Sequence, residues 1–66
     1  MSAVTAMENN LGGAAVEIAI KADDGRLIAV ISHPCAGADW FTYHADRHGR
    51  DRHKTRKAAL AAWGLS

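Results

Sequence analysis

Val16-Glu17-Ile18-Ala19-Ile20-Lys21-Ala22-Asp23-Asp24-Gly25-Arg26-Leu27-Ile28-Ala29-Val30-Ile31 is the stretch whose reading decides the fold. From Ala14 to Lys21 apolar residues recur at every second position, with Val16, Ile18 and Ile20 on one side and Glu17 and Lys21 on the other. A period of two is the signature of a strand with one buried face. Asp24-Gly25 then reads as a two-residue hairpin turn, because glycine tolerates positive φ. Leu27 to Ile31 forms the returning strand. With that loop, Ile20 faces Ala29, Ile18 faces Ile31 and Ala22 faces Leu27, all on one side, which suits a buried face. The other side carries Ala19, Lys21, Ile28 and Val30. Ile28 and Val30 are more apolar than a solvated face needs. Two readings stand for them: cover by the preceding segment of chain, or a contact surface.

Upstream, residues 1–13 show no period. Asn9-Asn10 and Gly12-Gly13 are turn chemistry, so this segment is expected to be a flexible arm. Residues 14–66 are expected to form a single small domain. Downstream, Pro34 and Gly37 punctuate a loop. Trp40 to Ala45, with three aromatics in four residues, reads as a third strand. Alternation there places Phe41 and Tyr43 on one face and Trp40, Thr42 and His44 on the other. Phe41 and Tyr43 are expected to be buried, and Trp40 to join Ile28 and Val30 on the outer face as an apolar contact. Ala58 to Trp63 is the best helix former. Gly64 is placed to end it, with Leu65 folding back on Leu60. Leu60, Ala59 and Trp63 form the stripe facing the sheet. Thr55 can cap a short helix, with residues 50–54 as a fourth strand; alternatively Asp51 or Asp46 caps a longer one. The start is expected between Asp51 and Thr55. The resulting fold class is α+β: a three- or four-stranded antiparallel sheet with one C-terminal helix packed on it, in the order β-β-β-α.

Sixty-six residues make one domain at most. A chain of this size buries only about 60% of its unfolded surface, which leaves it marginal. No large catalytic cleft is expected, and the chain is read as a non-enzyme. Cys35 is the single cysteine and excludes an internal disulfide; a lone thiol fits a reducing, cytoplasmic setting. No apolar run approaches the roughly 18 residues of a membrane span. The first residues lack the basic-then-apolar order of a signal peptide. Met1 fits the start of a complete small reading frame.

Charge is concentrated. Six of the eight Lys and Arg residues fall within eleven positions: Arg47, Arg50, Arg52, Lys54, Arg56 and Lys57. Against Asp46 and Asp51 they leave a local charge of +4, while the rest of the chain sums to −3. His44, His48 and His53 lie beside or within the run. Such polarity points to an anionic partner, either nucleic acid or an acidic protein surface. Bases at a helix start also oppose its dipole, which favours an anion site there over a purely structural role. The candidate binding residues are Arg47, Arg50, Arg52, His53, Lys54, Arg56 and Lys57. Ile28, Val30 and Trp40 are the candidate apolar contact. Asp23 and Asp24 at the hairpin tip can meet the basic run of a second copy, giving a homodimer.

His33, Cys35, His44 and His48 have no standard zinc-ligand spacing. Cys35 and His33 lack an orienting third group for a nucleophile. No metal, cofactor or catalytic residue is assigned.

The span Trp40-Phe41-Thr42-Tyr43-His44-Ala45-Asp46, with Gly49-Arg50 and Thr55-Arg56-Lys57-Ala58-Ala59, resembles the arm-type DNA-binding module of tyrosine recombinases. Those modules have an aromatic strand, a D-x-x-G-R turn, a basic strand and a T-x-x-x-A helix start. The resemblance runs from Trp40 to Ala59. It implies a three-stranded sheet with one helix, whose sheet enters the DNA major groove. The first hairpin departs from the pattern by carrying Asp23 and Asp24 at its tip. In size and style the chain is also similar to small phage-encoded inhibitors, such as anti-CRISPR proteins. That second resemblance implies binding to an acidic or nucleic-acid-binding surface of a host complex.

Overall fold

The computed structural model describes residues 3–65. Five strands follow one another: β1 (Val4–Gly12), β2 (Ala15–Ala22), β3 (Leu27–His33), β4 (Trp40–His44) and β5 (Arg50–His53), and then the helix α1 (Arg56–Ala61). The strands form one antiparallel meander in the order β1-β2-β3-β4-β5. The α+β class stands, with five strands in place of three or four.

The extra strand corrects the reading of the N-terminal segment. Val4 to Gly12 pairs with β2 from Val4–Ala22 to Gly12–Ala15 and is not a free arm. Met1 and Ser2, the first residues of the expected arm, lie outside the described residues, as does Ser66 at the end of the expected domain. Gly12 and Gly13 turn the chain, both at positive φ, and Asn10 Oδ1 accepts from the Gly12 amide at 2.8 Å.

The β2–β3 hairpin keeps the expected register at its centre, Ile20 opposite Ala29 and Ile18 opposite Ile31. Its tip differs. Gly25 donates to the Ala22 carbonyl and Ala22 to the Arg26 carbonyl, both at 2.9 Å, so the loop holds Asp23, Asp24 and Gly25. Gly25 sits at φ +88°, the left-handed position such three-residue loops require. Leu27 therefore faces Lys21 rather than Ala22, and a bulge at Ile28 restores the register by Ala29. The bulge turns Ile28 towards the core, where it is partly buried.

One face of the sheet is the core face. Ile18, Ile20, Ala29 and Ile31 are buried there with Ala59 and Leu60 of α1. Fully burying an isoleucine is worth about 1.5–3 kcal/mol, so the three isoleucines carry most of the packing. Thr42 joins them because it pairs with Ile31. Its hydroxyl finds no hydrogen-bond partner among the described residues.

Trp40 lies on this same face, packed against the core and stacked on His33 with centroids 4.3 Å apart. The expected orientation of the aromatic strand is thus reversed. Thr42 is 1% exposed, whereas Tyr43 is 44% exposed on the opposite side.

Thr55 caps α1, accepting from the Ala58 amide at 3.1 Å, which is the short-helix alternative with residues 50–53 as a strand. The far end closes as expected. Gly64 at φ +74° donates to Ala61, and Leu65 donates to Leu60 at 3.0 Å. A six-residue helix is about 9 Å long, while five strands span about 19 Å. The helix therefore leaves a cleft on each side, of about 420 Å³ beside Glu8 and Arg56 and about 400 Å³ beside Ile28 and Trp63. Nothing comparable covers the other sheet face among the described residues.

Candidate functional site

The basic run does not form one patch, because a strand lies within it. Alternation along β5 sends Arg50 and Arg52 to the open face and Asp51 and His53 to the helix side. Pairing fixes this assignment: Arg50 lies opposite Tyr43 and Arg52 opposite Phe41, while Asp51 meets Thr42 and His53 meets Trp40.

On the open face two rows run side by side. Phe41 and Tyr43 line β4, and Arg52 and Arg50 line β5. The Arg50 guanidinium lies 4.3 Å above the centre of the Phe41 ring, and its Nη1 donates to the Tyr43 hydroxyl at 3.1 Å. A cation over an aromatic face is attracted by the ring quadrupole, so Arg50 is held in place. Arg52 faces Asp39 at 3.5 Å with its side chain 72% exposed. Further across this face Met7, Leu27 and Val30 border a shallow groove of about 520 Å³. Of the expected apolar contact trio, Val30 is at this surface; Ile28 and Trp40 pack against the core on the other side.

On the helix side Arg47 and Arg56 are tied to acids. Arg56 pairs with Glu8 of β1. Arg47 approaches Asp51 at 3.3 Å, and His44 Nε2 lies 2.8 Å from the same carboxylate. A donating Nε2 cannot also accept from Arg47, which has donors only, so Asp51 serves both. His44 in turn lies against Trp63, with ring centres 5.5 Å apart. Lys54 and Lys57 have no ion-pair partner among the described residues. At the helix start, where an anion site is expected from the sequence, α1 is only six residues long and Arg56 is already paired with Glu8.

The hydrogen bond from His44 holds the Asp51 carboxyl below its usual 3.8; Arg47 and His53 add to this and burial opposes it. A lowered carboxyl contributes stability above its ordinary range and loses it as acid protonates it. Wild type should therefore exceed Asp51→Asn in urea stability above about pH 5, and the margin should shrink as the pH falls below about 4. A margin that grows in acid would contradict the geometry.

His33 Nδ1 lies 2.9 Å from the Ala14 carbonyl oxygen, and Cys35 is exposed and free. Among the described residues no three His, Cys, Asp or Glu side chains gather as metal ligands. Among the described residues no helix is long and apolar enough to cross a membrane. No protein-family model, curated protein or solved structure matches the chain.

Proposed function

We propose that the protein is a small non-catalytic binding module that engages nucleic acid through the open face of β4 and β5. One observation carries this reading: Arg50 and Arg52 project beside Phe41 and Tyr43 from the sheet face opposite the helix. Cations beside aromatic rings are what a nucleic acid needs, phosphate contacts for affinity and flat surfaces for bases. The Arg52–Asp39 pair does not compete strongly, because exposed ion pairs are worth only about 0–1 kcal/mol. Lys54 and Lys57, which follow β5 in the chain, add positive charge with no ion-pair partner among the described residues. The module is expected to act in the cytoplasm.

The test is fluorescence anisotropy with a labelled oligonucleotide over a salt series. Three phosphate contacts on a single strand correspond to an affinity loss of about twentyfold between about 50 and 200 mM salt. The Arg50→Glu/Arg52→Glu double variant should lose more than about tenfold at low salt, since each site changes from attraction to repulsion. Absence of any binding at low salt would end this reading.

A second reading draws on the groove beside Met7, Leu27 and Val30. Here the protein is a phage or mobile-element inhibitor, anti-CRISPR-like in style, seated on an acidic or nucleic-acid-binding surface of a host complex. Met7 and Leu27 are 64% and 45% exposed, an apolar area that phosphate contacts alone do not use. Capture of one defined host complex by wild type would favour it, and equal capture by the double variant would exclude the arginine row as the contact.

A further inference from the structure

We infer that the open face of β4 and β5 takes a single strand of nucleic acid, with one base stacked on Tyr43 and the backbone on Arg50 and Arg52. This rests on the nucleic-acid reading and narrows it to one class of ligand.

Three observations carry it. The first is the free ring. Phe41 is already covered by the Arg50 guanidinium, whereas Tyr43 is 44% exposed on a sheet face that no helix covers. A base inside a duplex has both faces stacked on its neighbours, so only an unpaired base can use that ring.

The second is the direction of the rows. Residues two apart on a strand are separated by about 6.6 Å, a step that suits successive nucleotides of an extended, unstacked chain. Arg50 and Arg52 on β5 make a track for successive phosphates beside the one open ring, Tyr43, on β4.

The third is the charge and width of the sheet. Strand β2, separated from β4 by β3, presents Glu17 and Lys21 on this face, and Asp23 and Asp24 stand at its tip. The positive track is therefore confined to the edge made by β4 and β5. A duplex lying across the face would find no net positive charge on β2, where Glu17 offsets Lys21, and two carboxylates at the hairpin tip. Nor does the whole sheet fit a groove: the major groove is about 12 Å wide, and five strands span about 19 Å.

The experiment compares one labelled twelve-nucleotide sequence as a single strand, in DNA and in RNA, and as a DNA duplex, by anisotropy at low salt. The single strand is expected to bind at least about tenfold more tightly than the duplex. Tyr43→Ala should weaken single-strand binding by about tenfold, the scale of losing one stacked base, and Tyr43→Phe should retain most of it. In wild type the Tyr43 ring protons should shift upfield on adding the single strand, a readout independent of any variant's folding. Duplex binding as tight as single-strand binding, or no change in the Tyr43 protons, would overturn the single-strand inference while the broader reading stood. Loss of all binding with every oligonucleotide would remove both.

Discussion

Ile31→Ala is expected to remove most of the stability of this protein. Ile31 is fully buried, opposite Ile18 on β2 and Thr42 on β4, in the cluster that includes Leu60 of the helix. Its position in the central strand leaves no solvent edge into which neighbours can relax. Truncating a buried isoleucine to alanine costs about 2–5 kcal/mol. A 66-residue chain holds in total about 3–10 kcal/mol. The adjacent Val30 points to the open face, so Val30→Ala should cost well under half as much. Urea denaturation followed by circular dichroism measures both. Equal losses at the two positions would mean that a further layer, such as a second copy, covers the open face. The pair therefore tests the assignment on which the functional site depends.

That assignment was only partly legible in the sequence. The β2–β3 hairpin was readable because one face is buried and its turn is short. Its central register follows from the isoleucines even though the loop is longer than expected, since the bulge at Ile28 cancels the change. The face of β4 was not readable. Both alternating sets in Trp40-Phe41-Thr42-Tyr43-His44 contain large aromatics, and the connection from His33 is too long to fix parity. A shift of one residue moves every side chain to the other face. Pairing with β3 settles it by placing Thr42 beside Ile31.

The same parity decides the candidate site. Burying Phe41 and Tyr43 would have put Arg50 and Arg52 under the helix, where guanidinium groups face a large desolvation cost. Recognising residues 50–53 as a strand supplies the missing signal: antiparallel pairing then brings the two arginines to the side that can solvate them, and the aromatic pair goes with them. The histidine and acid of that strand, Asp51 and His53, fall on the helix side, where Asp51 finds His44 and Arg47. The compact run in sequence thus divides into an accessible row and an internally paired one.

Removal of residues 1–13 is expected to abolish cooperative folding, the second large effect. A flexible arm could be deleted with little consequence, and the sequence of Val4 to Gly12 shows no alternation that argues otherwise. The reason is its place at the edge: nearly every residue of β1 is exposed, so no buried face imposes a period. Its contribution lies instead in the backbone ladder to β2, in Val4 packed against the core and in the pair between Glu8 and Arg56. Without β1, the β2 strand with Val16, Ile18 and Ile20 becomes the sheet edge. An apolar, unpaired edge of that kind templates association. The truncated chain should lose its cooperative thermal transition in circular dichroism and sediment as aggregates. A melting temperature within a few degrees of the full chain would show that β1 is dispensable. Strands β2 to β5 with the helix would then be the stable unit.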